Sequence, residues 1–94
     1  MTKTEALAKG IVAHGATPVT AAPTARHQTY ALDLPVRRRD PSDGSYVEGF
    51  APYLLFLGRS ASLRMVRAGA KHADSMVAPR SLFEMLLTKG GYHG

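Results

Sequence analysis

Apolar and polar residues alternate along this chain in a few distinct ways. Between Thr29 and Leu34 the apolar residues Tyr30, Leu32 and Leu34 alternate with Thr29, Ala31 and Asp33. A period of two places one set on one face of a β-strand. The run Tyr53-Leu54-Leu55-Phe56-Leu57 follows Pro52 and is too short for a helix, so it reads as a buried strand. Near the C-terminus, Leu82, Phe83, Leu86 and Leu87 recur at helical spacing, with Glu84 and Thr88 on the other side. Ser81 with Glu84 has capping-box spacing, Lys89 suits the negative end of the helix dipole, and Gly90-Gly91 supplies a left-handed stop. A helix over about 81–89 is predicted.

The N-terminal pattern is weaker. Thr2 and Glu5 again have capping-box spacing, and Leu7 and Ile11 share a face, beside Ala8 and Val12. A helix over 3–13 is expected. Gly10 costs it about 1 kcal/mol relative to alanine, and a helix this short persists only if it docks. It is placed at the periphery or against a partner. Residues 15–26, with Pro18, Pro23 and many small side chains, read as an extended, exposed connector. Pro35 is expected to end the strand 28–34. Asp40-Pro41-Ser42-Asp43-Gly44 has turn chemistry, and Ser45–Phe50 is a candidate return strand.

Two readings compete for the stretch after Gly58. As a hairpin, Arg59-Ser60-Ala61 is the loop, and Leu57 faces Leu63, Leu55 faces Met65, Phe56 faces Arg64 and Leu54 faces Val66. As a helix over 60–77, Leu63, Val66, Ala70, Ala73 and Val77 form an apolar stripe, and Arg64, Arg67 and Lys71 a basic one. Gly69 and the need of strand 53–57 for a neighbour favour the hairpin. The expected fold is α+β: a small antiparallel sheet with strands at about 29–34, 53–58 and 62–67, a β-hairpin at about 53–67, a C-terminal helix and a peripheral N-terminal helix. The expected division is an arm and connector over 1–26 and a small domain over 27–94.

The run Leu55-Phe56-Leu57-Gly58-Arg59-Ser60-Ala61-Ser62-Leu63-Arg64, followed by a short helix, resembles small uncharacterised proteins of tailed bacteriophages. In those, a strand passes through glycine and a basic-serine turn into a Leu-Arg strand. The resemblance covers about 40 residues and implies a hairpin; it implies no activity. Ala61 stands where such turns often carry glycine.

Composition narrows the function classes. The chain has 94 residues, no cysteine, and twelve Lys and Arg against seven Asp and Glu, for a net charge of +5. Absence of cysteine excludes disulfides, thiolate metal sites and thiol catalysis. The start lacks the apolar stretch of a secretory signal, and no run approaches the ~20 apolar residues of a membrane span. A soluble, cytoplasmic protein without membrane attachment is expected. His14, His27, His72 and His93 are scattered, and only His72 and Asp74 lie close, so no metal or cofactor is expected. The serines suit turns and caps, and no phosphate-loop spacing occurs. The reading is non-enzymatic.

A basic balance favours an anionic macromolecule, either nucleic acid or an acidic protein surface. The candidate contacts are Arg59, Arg64, Arg67, Lys71 and Arg80, with Arg37, Arg38 and Arg39 at a loop tip. On a hairpin Arg64 and Arg67 fall on opposite faces; on a helix they align with Lys71. Asp33, Asp40, Asp43 and Glu48 also offset the arginine triplet. The function expected is therefore an interaction protein binding an anionic partner. The alternative is a protein–protein component, either an assembly subunit such as a phage virion or accessory part, or an inhibitor of a host complex.

Overall fold

A computed structural model describes residues 1–19 and 26–93, without the side chain of His72. Two helices lie on one face of a five-stranded antiparallel sheet. In chain order the elements are α1 (Lys3–Ala13), β1 (Thr17–Val19), β2 (Gln28–Arg39), β3 (Tyr46–Leu57), β4 (Leu63–Arg67), β5 (Met76–Val77) and α2 (Arg80–Lys89). The strands are ordered β1-β2-β3-β4-β5, so each pairs with its neighbour in sequence. The fold is α+β, as the residue pattern leads one to expect.

The stretch after Gly58 is a hairpin. Leu57 pairs with Leu63, Phe56 with Arg64, Leu55 with Met65 and Leu54 with Val66. This register puts Leu55, Leu57, Leu63 and Met65 on the helix-facing side with Tyr30, Leu32 and Leu34. A slip of one residue would turn that whole set to the other face. The turn itself is unusual. Ser60 and Ala61 both have left-handed backbones, φ 60° and 58°. Each costs an L-residue about 1–2 kcal/mol. The Ala61 amide donates to Thr4 Oγ1 of α1 at 2.9 Å, which fastens the turn to the helical layer.

β2 and β3 run much further than their apolar cores. Pro35 does not end β2: it pairs with Phe50, and the ladder continues to Arg39 and Tyr46. β1 covers only Thr29 to Ala31, so beyond that point β2 is an edge, where a proline's missing N–H costs little. Pro52 likewise lies inside β3, just past the reach of β4. Asp40 and Asp43 close the connecting turn. Each carboxylate accepts from a serine two residues on, the Ser42 and Ser45 amides at 2.9 and 2.8 Å. Gly44 takes the positive φ, 77°. Both carboxyls are held below the ordinary aspartate value by these hydrogen bonds, those to the serine side chains first. The connector expectation is revised where it can be seen: Thr17–Val19 is an edge strand, and residues 20–25 lie outside the described part.

The N-terminal helix is not peripheral. Leu7 and Ile11 are fully buried and join Leu55, Leu86 and Tyr30 in one core. α1 therefore shares the core of the remaining residues and is not an arm beside it, while β1, exposed throughout, only extends the sheet edge. The reason is Gly10. A β-carbon there would lie 1.8 Å from the carbonyl oxygen of Leu86, and one at Gly90 would lie 1.8 Å from that of Ala6. The helices cross backbone to backbone at these two glycines. Gly90 is itself right-handed (φ −78°), and the left-handed residue is Gly91, φ 84°.

At the other end of α2 the expected capping box is not formed. The helix begins at Arg80 after Pro79, without a side-chain cap, and Glu84 pairs with Arg80. At α1, Thr2 does cap, accepting from the Glu5 amide at 3.1 Å.

Candidate functional site

The long β2–β3 ladder outruns the helices. From residue 35 to residue 50 no side chain is buried. This arm carries Arg37, Arg38 and Arg39 on one strand and Tyr46, Val47, Glu48 and Phe50 on the other. Tyr46 is 67% exposed, Val47 52% and Phe50 72%. The strand period divides them. Arg37 and Arg39 share the helix-free face with Tyr46, Glu48 and Phe50, while Arg38 and Val47 point the other way. Arg37 reaches Glu48 at 3.7 Å, both exposed, a pairing of at most about 1 kcal/mol. The arm holds three arginines and three carboxylates, Asp40, Asp43 and Glu48, so it is neutral. Nine cations and four carboxylates remain on the body, which bears the whole +5.

The other candidate cations do not form one surface. Arg64 is half-buried and tied down: its Nε and Nη2 donate to the side-chain and carbonyl oxygens of Ser75, at 2.9 and 2.5 Å. It braces the loop leading into β5. Arg67, on the opposite face of β4, lies over the Tyr53 ring at 5.8 Å. Lys71 is exposed in the β4–β5 connection, where its carbonyl accepts from the Asp74 amide at 2.8 Å. Arg80 contacts Glu84 at 3.0 Å. The helix that would have aligned Arg64, Arg67 and Lys71 does not form, so the basic stripe is dispersed by strand parity.

Arg59 is placed differently. It lies at the end of the molecule where β3 leaves the sheet, and it shares two adjoining recesses with Arg26, a residue the sequence reading left out. Gln28 pairs with Leu57 at the last step of the β2–β3 ladder, and Arg26 and Arg59 lie just beyond that end on their two chain segments, which no local pattern announces. Phe50 was legible by parity, two and four residues before Pro52 and Leu54 on the solvent side of β3, once Pro52 is read as lying inside a strand.

Among the described residues no three His, Asp or Glu side chains converge as a metal site would require. Among the described residues no helix is long and apolar enough to cross a membrane. Tyr30, whose hydroxyl donates to Gln28 at 2.7 Å, has its pKa raised by burial; it is a core residue with a satisfied hydroxyl. No protein-family model matches the chain, and no curated protein or solved structure was found to be similar to it.

Proposed function

We propose that this chain is a non-enzymatic interaction protein that docks on a partner protein through the β2–β3 arm, as an assembly component or an inhibitor does. The observation that carries the reading is the exposure of Tyr46, Val47 and Phe50 on a neutral, unsupported arm. Burying a phenylalanine side chain is worth about 1.5–3 kcal/mol. The fold forgoes this at Phe50, and a partner can recover it. Aromatic anchors ringed by arginine are typical of the energetic centre of protein interfaces. The alternating charges around them give register and selectivity more than affinity.

A two-stranded ribbon can also enter the major groove of DNA, and the arginine triplet favours that second reading. The neutral charge of the arm weighs against it, because phosphate binding rests on a cationic excess. The two readings separate by experiment. The doubly substituted chain Tyr46→Ala/Phe50→Ala is compared with wild type in pull-down from the native source. A partner protein that is retained by wild type and lost by the variant supports docking through the arm. A partner retained equally by both overturns it. A mobility shift with generic DNA or RNA that depends on Arg37–Arg39 and falls steeply with salt moves the reading to nucleic acid.

A further inference from the structure

We infer that the recess between Arg26 and Arg59, at the end of the sheet remote from the arm, is a binding site for a phosphate group. This inference is independent of the docking role given to the arm.

Arg26, Gly58, Arg59 and Ser62 line one recess of about 560 Å³. Arg26 and Arg59 also line an adjoining one of about 280 Å³, with Thr4 and His27. Among the described residues no carboxylate lines either recess. Neither arginine forms an ion pair or side-chain hydrogen bond among the described residues. The two cations share both recesses, and neighbouring like charges repel. A shared anion removes that repulsion. Two guanidinium groups present paired N–H donors with the geometry of a tetrahedral oxyanion, which is why arginine prevails at phosphate sites. Ser62 adds a hydroxyl at the wall.

The wall is also held in shape. The left-handed Ser60–Ala61 turn carries Arg59 and Ser62 on its two sides, and Thr4 of α1 fixes its amide. Strained turns of this kind persist where surrounding structure over-determines them, and they concentrate at ligand clamps. The body around the recess bears the positive charge that the arm lacks.

The test is an amide-resolved NMR titration of the full chain with inorganic phosphate, then with a short single-stranded DNA oligonucleotide. The chains compared are wild type, R26Q/R59Q, R26K/R59K and, as a charge-matched control, R37Q/R39Q. Saturable shifts at Gly58, Arg59 and Ser62 are expected in wild type and in the arm control. The R26Q/R59Q chain should bind about tenfold more weakly or worse, since each lost charged hydrogen bond is worth that much. The R26K/R59K chain should fall between them. Amide dispersion in each spectrum shows that the fold is kept. Shifts that do not saturate, equal binding by R26Q/R59Q, or an equal loss in the arm control would overturn the site. If the oligonucleotide moves the same amides at lower concentration than phosphate does, the phosphate is that of a polymer. If only inorganic phosphate moves them, the ligand is a small phosphate.

Discussion

Replacing Gly10 by alanine should destabilise this protein, against the ordinary rule for helices. In an exposed helix interior the change gains about 1 kcal/mol, because glycine loses more backbone freedom on folding. Here the added β-carbon would sit 1.8 Å from the Leu86 carbonyl oxygen, 2.8 Å from its carbon and 3.1 Å from the Gly90 nitrogen. Ordinary contact begins at 3.4 Å, so α2 must retreat by 3.4 − 1.8 = 1.6 Å along that line. The obstacle is backbone on both sides and has no rotamer to turn aside. A radial gap of even 0.5–1 Å already forfeits about a quarter to a half of the contact attraction. The crossing also positions Leu7, Ile11 and Leu86, which are all fully buried. Overpacking costs typically about 1–3 kcal/mol and occasionally more. A displacement this large belongs at the upper end, about 3 kcal/mol, offset by the propensity gain of about 1. The net loss of about 2 kcal/mol should lower Tm by roughly 8–16 °C in a domain of this size. Urea and thermal unfolding followed by circular dichroism measure it. Gly49→Ala is the control: nothing lies within 4 Å of its added carbon, and its stability should be unchanged or raised. A Gly10→Ala chain as stable as wild type would refute the backbone-to-backbone crossing.

Other outcomes are expected from single features. Ala61→Gly removes a left-handed alanine and should stabilise by about 0.5–1 kcal/mol, the strain relief less the added unfolded-state entropy; a loss in urea midpoint would contradict this. Phe50→Ala should leave stability within about 0.5 kcal/mol, as for other exposed sites, whereas Leu55→Ala, fully buried, should cost about 2–5 kcal/mol. If Phe50→Ala unfolds the chain, the arm is part of the core. Arg64→Met removes both bonds to Ser75 and should speed hydrogen exchange at residues 75–77 with little change at Leu55. Asp40 and Asp43 have folded pKa values below their unfolded ones. Their contribution to the turn is therefore complete above the ordinary aspartate pKa and is lost as pH falls through the lowered folded values. The Ser42 and Ser45 amide resonances should hold until pH falls below the ordinary aspartate value and then move; movement that begins above that value would contradict the hydrogen bonds.

Much of the fold was legible in local pattern. Alternation at Tyr30, Leu32 and Leu34 and the run 53–57 identified two strands and their buried face. Once β4 was taken as a strand, pairing Leu57 with Leu63 followed, because only that register puts Leu55 against Met65. Strand parity likewise announced that Arg64 and Arg67 could not share a surface. The candidate site was less legible. Of the eight expected cations only Arg59 shares a recess with a second arginine among the described residues, and that arginine, Arg26, lies in the segment before β2.

What the sequence alone determined is what depends on neighbours a few residues away: the helix at 3–13, the strand faces, the Asp-Gly turn at 40–44 and the net charge. Tertiary structure decided the rest, for reasons no local window contains. Pro35 reads as the end of one strand and Pro52 as the boundary before another, yet both lie inside strands, tolerated where β1 and β4 no longer flank the ladder. That extension is what exposes Phe50. Gly10 and Gly90 were read as a weak spot and a cap, yet their missing side chains let α1 and α2 touch. Whether a glycine is a defect or a contact depends on what stands opposite it, and only the folded chain supplies that.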